Sequence, residues 1–203
     1  MGAARERGLP VDERERRDLC ELLAEVGPDA PTMCEGWTAL DLAAHLVLRE
    51  HFSRWSVEKM AAEKAKGLPA LIDRLRGGAP LVPWRLPGLR TAMNGAEYLI
   101  HHEDVRRANG LEPRTGRPDL DALAWKTSGL TGWRAARKIR PHGLELRVPD
   151  GRTRGFGSPE RAVLTGEPVE LLLYLSGRRD VARVELSGDS VAVEAMLGAD
   201  NGL

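Results

Sequence analysis

Apolar residues recur at three- and four-residue steps through the first two thirds of the chain. In the last third they recur at two-residue steps between glycines and prolines, so the pattern predicts helices followed by short strands. A first helix is predicted over about 11–26, with Leu19, Leu22, Leu23 and Val26 on one face and Gly27-Pro28 as its stop. After the loop "PDAPTMCEGW", Thr38 offers an N-cap with Asp41 three residues on, a near-capping box opening a long helix that continues toward Gly67. "LPALIDRLRGG" predicts a short connecting helix, and three prolines in "APLVPWRLPG" predict an irregular crossover. Further helices are predicted over about 89–108, ended by Asn109-Gly110, and over about 120–139, stopped by Pro141.

Four helices with apolar stripes and one long crossover predict an up-down four-helix bundle. From Gly143 on, "LELRV", "PDG" and "RTRGFG" read as a hairpin turned by Asp150-Gly151. "RAVLTG" and "VARVELSG" read as strands, "PVELLLYLSG" as a helix with proline at its first position, and "SVAVEAML" as a final helix. The change of period sets the expected boundary: a bundle over 1–141 and a small α+β domain over 142–203, too small to be comfortable alone.

Composition narrows the partners. Lys+Arg and Asp+Glu are 30 each, the net charge is zero, and no run of like charge is long enough to track a phosphate backbone, which argues against nucleic acid. The 25 arginines against 5 lysines reflect a GC-rich codon bias before they reflect anion binding. Two cysteines, Cys20 and Cys34, are too few for a disulfide framework and fit no metal spacing, so a reducing compartment is expected. No apolar run approaches the roughly 18 residues of a membrane span, and "MGAARERG" has no apolar leader core. The expectation is a soluble, unprocessed, cytoplasmic protein.

Candidate chemistry lies in "EYLIHHEDVRR", residues 97 to 107. Leu89, Ala92, Met93, Ala96, Ile100, Val105 and Ala108 define an apolar stripe, and Glu97, His101 and Asp104 fall on or beside it at steps of four and three. His102 and Glu103 project away and are expected in solvent. An inward glutamate costs several kcal/mol unless neutralised, so a cation beside His101 is expected. In "TALDLAAHLVL" the polar interruption is His45, with Asp41 one turn before it. A histidine on an apolar face is commonly a core residue bonded to a carbonyl, and that reading stands beside ligation for each imidazole taken singly. Together His45, Glu97 and His101 form a three-donor set that leaves a metal with open positions, as in catalytic zinc; nickel or iron(II) would accept the same set. Asp41 or Asp104 would orient the histidines from behind, although Asp41 equally serves to cap its helix.

"GWTALDLAAHL" followed by "EYLIHHEDVRR" resembles the mycothiol-dependent maleylpyruvate isomerase family, whose N-terminal domain is a DinB-like metal-binding four-helix bundle. "GEPVELLLYLSGR" with "VARVELSGD" is similar to the sterol-carrier-like C-terminal domain that many members carry. The resemblance implies a divalent metal on His45, Glu97 and His101, mycothiol as co-substrate, and a small electrophilic substrate that undergoes isomerisation or S-transfer. It also implies an arginine of the C-terminal domain near the substrate carboxylates. Arg178 is the candidate, Arg179 and Arg183 compete, and a charge solvated near a helix C-terminus is the plainer role. A non-enzymatic metal- or small-ligand-binding protein using the same pocket is the alternative from another class, and a purely structural interaction module is a third.

Among weaker features, Cys34 is expected to be a buried, inert thiol. The five tryptophans are expected as packing anchors, with Trp37 and Trp84 at a pocket rim. His51 has no expected metal role, and His142 is a linker residue by default.

Overall fold

The structure, a computed structural model, describes residues 9–50, 56–78 and 87–199, with side chains of the last range described from 94 onward. By contact the chain divides into Met1–Thr115 and Gly116–Leu203.

The first unit is a bundle of helices: α1 (Val11–Val26), α2 (Ala39–Glu50), α3 (Val57–Lys64), α4 (Leu68–Gly77) and α5 (Pro87–Ala108). α1 packs along α5 and α4, while α2 packs along α4 and α3. The apolar stripes meet in one core that includes Leu19, Leu23, Leu42, Leu46, Leu71, Leu75, Tyr98 and Val105. At the head of α2 the Thr38 amide and hydroxyl both donate to Asp41 Oδ2, at 3.0 and 2.8 Å, and the Asp41 amide donates back to Thr38 Oγ1 at 3.4 Å. Asp41 also pairs with Lys64. Of the two roles open to Asp41, capping is the one its contacts serve, since a side chain bonded to its own helix start satisfies an otherwise orphaned amide.

The long helix expected from residue 39 toward Gly67 is not continuous. Ser56, with φ −150°, caps a separate α3 and accepts from the Lys59 amide at 3.3 Å. Extended backbone at Ser56 cannot belong to a helix interior. His51, Trp55, Trp84 and most of the predicted crossover lie outside the described residues, as do the side chains of Leu89, Ala92 and Met93.

α5 departs most from its expected pattern. Besides Ala96, Ile100 and Val105, it buries Asn94, Tyr98, Leu99, His101, His102, Glu103 and Asp104. His102 and Glu103, expected in solvent, are 4% and 1% exposed. The reason is that the helix is packed on more than one side, so its polar side faces α1 and the 109–115 segment rather than water. Those charges are neutralised by two arginines. Arg114 Nη1 donates to both carboxylate oxygens of the buried Glu15 at 2.9 Å, and its Nε donates to Glu103 Oε1 at 2.9 Å. Arg107 Nε donates to Glu103 Oε2 at 3.0 Å, and Arg114 Nη1 also meets His102 Nδ1 at 2.9 Å. An arginine can donate only to a neutral imidazole nitrogen, and burial together with the Arg114 charge holds the His102 pKa down.

The second unit joins α6 (Pro118–Lys138) to strands β1 (Gly143–Arg147), β2 (Thr153–Phe156), β3 (Arg161–Thr165), helix α7 (Pro168–Leu175), strand β4 (Glu185–Gly188) and helix α8 (Ser190–Gly198). The sheet order is β2-β1-β3-β4, with β1 and β3 parallel and the outer pairs antiparallel. Gly151, at φ 93°, turns the β1–β2 hairpin as Asp150-Gly151 predicts. Leu144, Leu146, Ala162 and Leu164 alternate inward against Leu171, Ile139 and Met196.

The architecture is therefore a helical bundle followed by a small α+β part, with the unit boundary at 115/116 instead of the expected 141/142. α6 accounts for the difference: it packs on α7, β1 and β2, and a side chain at Gly132 would meet the Phe156 ring at 2.7 Å. Its apolar stripe thus serves the core of the sheet.

Two stability predictions follow from these buried charges. Arg114→Ala removes the guanidinium that meets both Glu15 oxygens and one Glu103 oxygen, and chemical denaturation should register a loss of about 3 to 5 kcal/mol, with Arg114→Lys restoring only part of it. The second concerns Glu50, which accepts a hydrogen bond from Tyr98. Burial pushes its carboxyl from 4.5 up to about 7 against the lowering charges of Arg16 and Arg49. The folded chain then binds more protons than the unfolded chain between those values, so this contribution to stability is present at low pH and lost as pH rises through about 7. Glu50→Gln keeps the Tyr98 bond and should flatten that decline, a gain on the order of 2 to 3 kcal/mol at about pH 8.

Candidate metal centre

The first unit brings His45, Glu97 and His101 together. His45 lies on α2, and Glu97 and His101 lie one turn apart on α5, where the four-residue step puts both on one face. His45 Nε2 is 3.6 Å from Glu97 Oε1, and His101 Nε2 is 3.3 Å from the same oxygen. One donor atom from each lies within 4.8 Å of the others. The two rings stand edge to face with centroids 5.6 Å apart, and the Trp37 ring lies 5.1 Å from that of His45. His45 and Glu97 retain about a quarter of their side-chain exposure, whereas His101 keeps 8%.

These separations fit a metal site. Bonds of about 2.0 Å from zinc to nitrogen or oxygen, at tetrahedral angles, put donors about 3.3 Å apart. The two observed nitrogen-to-oxygen distances lie within a few tenths of an ångström of that value.

The surroundings hold the donors in this arrangement. Arg49 Nε lies 3.3 Å from Glu97 Oε1, and Arg49 Nη1 donates to the buried Asn94 Oδ1 at 2.7 Å. Burial alone would raise the Glu97 pKa, but hydrogen bonds from His101 and His45 and the charge of Arg49 outweigh it and keep the carboxyl well below its ordinary range. For His101 burial alone would favour the neutral ring; hydrogen bonds with Asp104, Cys34 and Glu97 reverse that and raise its pKa well above the usual imidazole value. Asp104 is fully buried and its Oδ2 lies 2.9 Å from His101 Nδ1. A proton on Nδ1 shared with that carboxylate leaves Nε2 as the ligating nitrogen, the usual carboxylate–histidine arrangement behind a metal.

Sequence reasoning underrated Cys34. Its Sγ donates to Asp104 Oδ2 at 3.4 Å and lies 3.9 Å from His101 Nδ1, so the thiol is half-buried against the histidine and not set apart from it. A cysteine two residues before Gly36-Trp37, in the loop leading into the helix that carries His45, is the signal that was present. Neither cysteine forms a disulfide.

Arg178 belongs to the second unit. Following the C-terminal end of α7, its Nη1 donates to the Ser176 carbonyl at 2.6 Å, and its own amide donates to Leu173 O at 2.9 Å. Arg179 donates to the Leu197 and Ala199 carbonyls, and the Arg183 amide donates to Glu170. The Arg178 and Arg179 contacts are those of arginines at helix ends, Arg183 lies just before β4, and these bonds single out none of the three as catalytic. His142 sits beside Trp133, Arg140 and Phe156 around a small cavity of about 200 Å³ within the same unit. A larger, mainly apolar cavity of about 680 Å³ in the first unit is lined by Ala24, Leu40, Leu68 and Ile72 among others, and none of its lining residues is a metal-site candidate.

A helical bundle followed by a small α+β part is the fold that solved structures share with this chain. The chain is similar to the mycothiol-dependent maleylpyruvate isomerase, with 17% identity, a TM-score of 0.62 and alignment over 90% of this chain and 95% of that one. A histidine-to-alanine mutant of the isomerase matches at 18% identity, TM-score 0.57 and the same coverage. At this identity the likeness establishes a shared fold. No family model and no curated protein matches the chain. Among the described residues no helix is long and apolar enough to cross a membrane.

Proposed function

We propose that this protein is a divalent-metal-dependent enzyme that brings a small cysteine thiol, mycothiol or a close relative, to a small electrophilic substrate for isomerisation or S-transfer. The observation that carries the reading is the convergence of His45 Nε2, Glu97 Oε1 and His101 Nε2. The fold shared with a mycothiol-dependent isomerase supports it.

His45, Glu97 and His101 would hold the cation and leave it open positions, with zinc the leading identity and nickel or iron(II) compatible with the same donors. When bound there, a dication supplies the Lewis acidity that converts a thiol of ordinary pKa about 8.5 into its nucleophilic thiolate near neutral pH. The chain's own residues provide the rest. Asp104 accepts the Nδ1–H hydrogen bond of His101 and fixes the ring, Arg49 fixes Glu97 and offsets its charge, and the Trp37 ring packs beside His45. The partial exposure of His45 and Glu97 leaves an approach for small molecules.

Metal analysis of the purified protein is the first test. His45→Ala and Glu97→Ala are each expected to hold about one equivalent less metal than the wild type; equal occupancy in all three would refute the assignment. Asp104→Asn keeps the shape but weakens the acceptor behind His101, and its metal affinity should fall about 10- to 100-fold by competition with a chromophoric chelator. For the reaction, consumption of mycothiol with an electrophile should require both metal and His45. Metal binding without any thiol-dependent turnover would instead favour a non-enzymatic binding protein.

A further inference from the structure

His101 presents its two ring nitrogens to two different donor sets. Nε2 faces Glu97 and His45, whereas Nδ1 faces Asp104 Oδ2 at 2.9 Å and Cys34 Sγ at 3.9 Å, with Sγ and Oδ2 3.4 Å apart. A zinc–sulfur bond of about 2.3 Å and zinc–nitrogen or zinc–oxygen bonds of about 2.0 Å, at tetrahedral angles, put sulfur about 3.5 Å from either partner and nitrogen about 3.3 Å from oxygen. The measured triangle lies within about 0.4 Å of those values on every side. The three atoms therefore stand close to the separations that one tetrahedral cation requires.

The loop that carries Cys34 is fixed in place. Pro31 and Thr38 bridge across its base. Thr32 Oγ1 accepts from the Cys34 amide at 3.2 Å and donates to Trp37 O at 2.9 Å, and the Trp37 amide donates to Cys34 O at 2.9 Å. The Met33 amide donates to the backbone carbonyl of Asp104 itself at 3.2 Å, which ties the loop to α5 at the residue that supplies the oxygen donor. Donors held this way lose little freedom when an ion arrives.

The geometry points to a second, thiophilic cation site formed by Cys34 Sγ, His101 Nδ1 and Asp104 Oδ2, bridged through the His101 ring to the site of His45 and Glu97 and filled in addition to it. It rests on the reading of His101 Nε2 as a ligand, but its other donors are its own. Filling it releases two protons to solvent, one from the Cys34 thiol and one from His101 Nδ1, and converts Asp104 from a hydrogen-bond acceptor into a ligand; no electron moves. A thiolate in the set selects soft or borderline ions such as zinc, cadmium or cobalt over magnesium or calcium.

Cobalt(II) titration of the reduced, metal-stripped full chain tests this. Two equivalents are expected in the wild type, with an intense near-ultraviolet thiolate-to-cobalt band. Cys34→Ser should lose that band and one equivalent. Cys20→Ser should keep both, because Cys20 is fully buried among apolar residues and its thiol is pushed up to about 11 by that burial. His45→Ala should lose the other equivalent and keep the thiolate band, so failure of the first site and failure of the second are read separately. A single equivalent in the wild type, or a thiolate band that survives in Cys34→Ser, overturns the second site.

Discussion

A carboxylate in a helical bundle must be neutralised or it will not stay ionised there, and Glu97 is where this chain meets that requirement. Its oxygen receives His101 from its own helix, His45 from α2 and the Arg49 guanidinium. Each contact is one the apolar packing alone would not select. They fix the rotation of α5, because turning that helix by one residue would withdraw Glu97 and His101 together from α2. Donors suited to a cation and a helix register are therefore one feature seen at two scales.

The opposite side of α5 solves the same problem with different chemistry. Glu15 and Glu103 are as deeply buried as the apolar core, and two guanidiniums satisfy them. Arginine suits that role, since its charge persists at any physiological pH and its planar fork matches two carboxylates at once. On the Glu97 side the partners are mainly imidazoles, which can surrender protons and take a metal instead. One helix thus carries a permanently closed charge cluster on one face and an exchangeable one on the other.

The part of the site built on local spacing was legible in the sequence. Glu97 and His101 are related by one helical turn, and His45 interrupts an apolar run, so periodicity alone places them on inward faces. Asp104 follows from the same spacing. Cys34 did not, because its contacts with His101 and Asp104 span 67 and 70 residues and depend on how a loop folds over a helix end. His102 and Glu103 were misjudged for a related reason: a single stripe assumes one buried face, and α5 has two. The helices, hairpin and sheet strands were legible from period and turn residues, while the break before α3 and the transfer of α6 to the second unit were set by tertiary packing.

X-ray absorption on protein loaded with one equivalent of zinc addresses the convergence of the three donors most directly. A first shell of nitrogen and oxygen only, near 2.0 Å, with the outer-shell scattering of two imidazoles, is expected. A shell with fewer than two imidazoles, or with sulfur near 2.3 Å at that first equivalent, would contradict it.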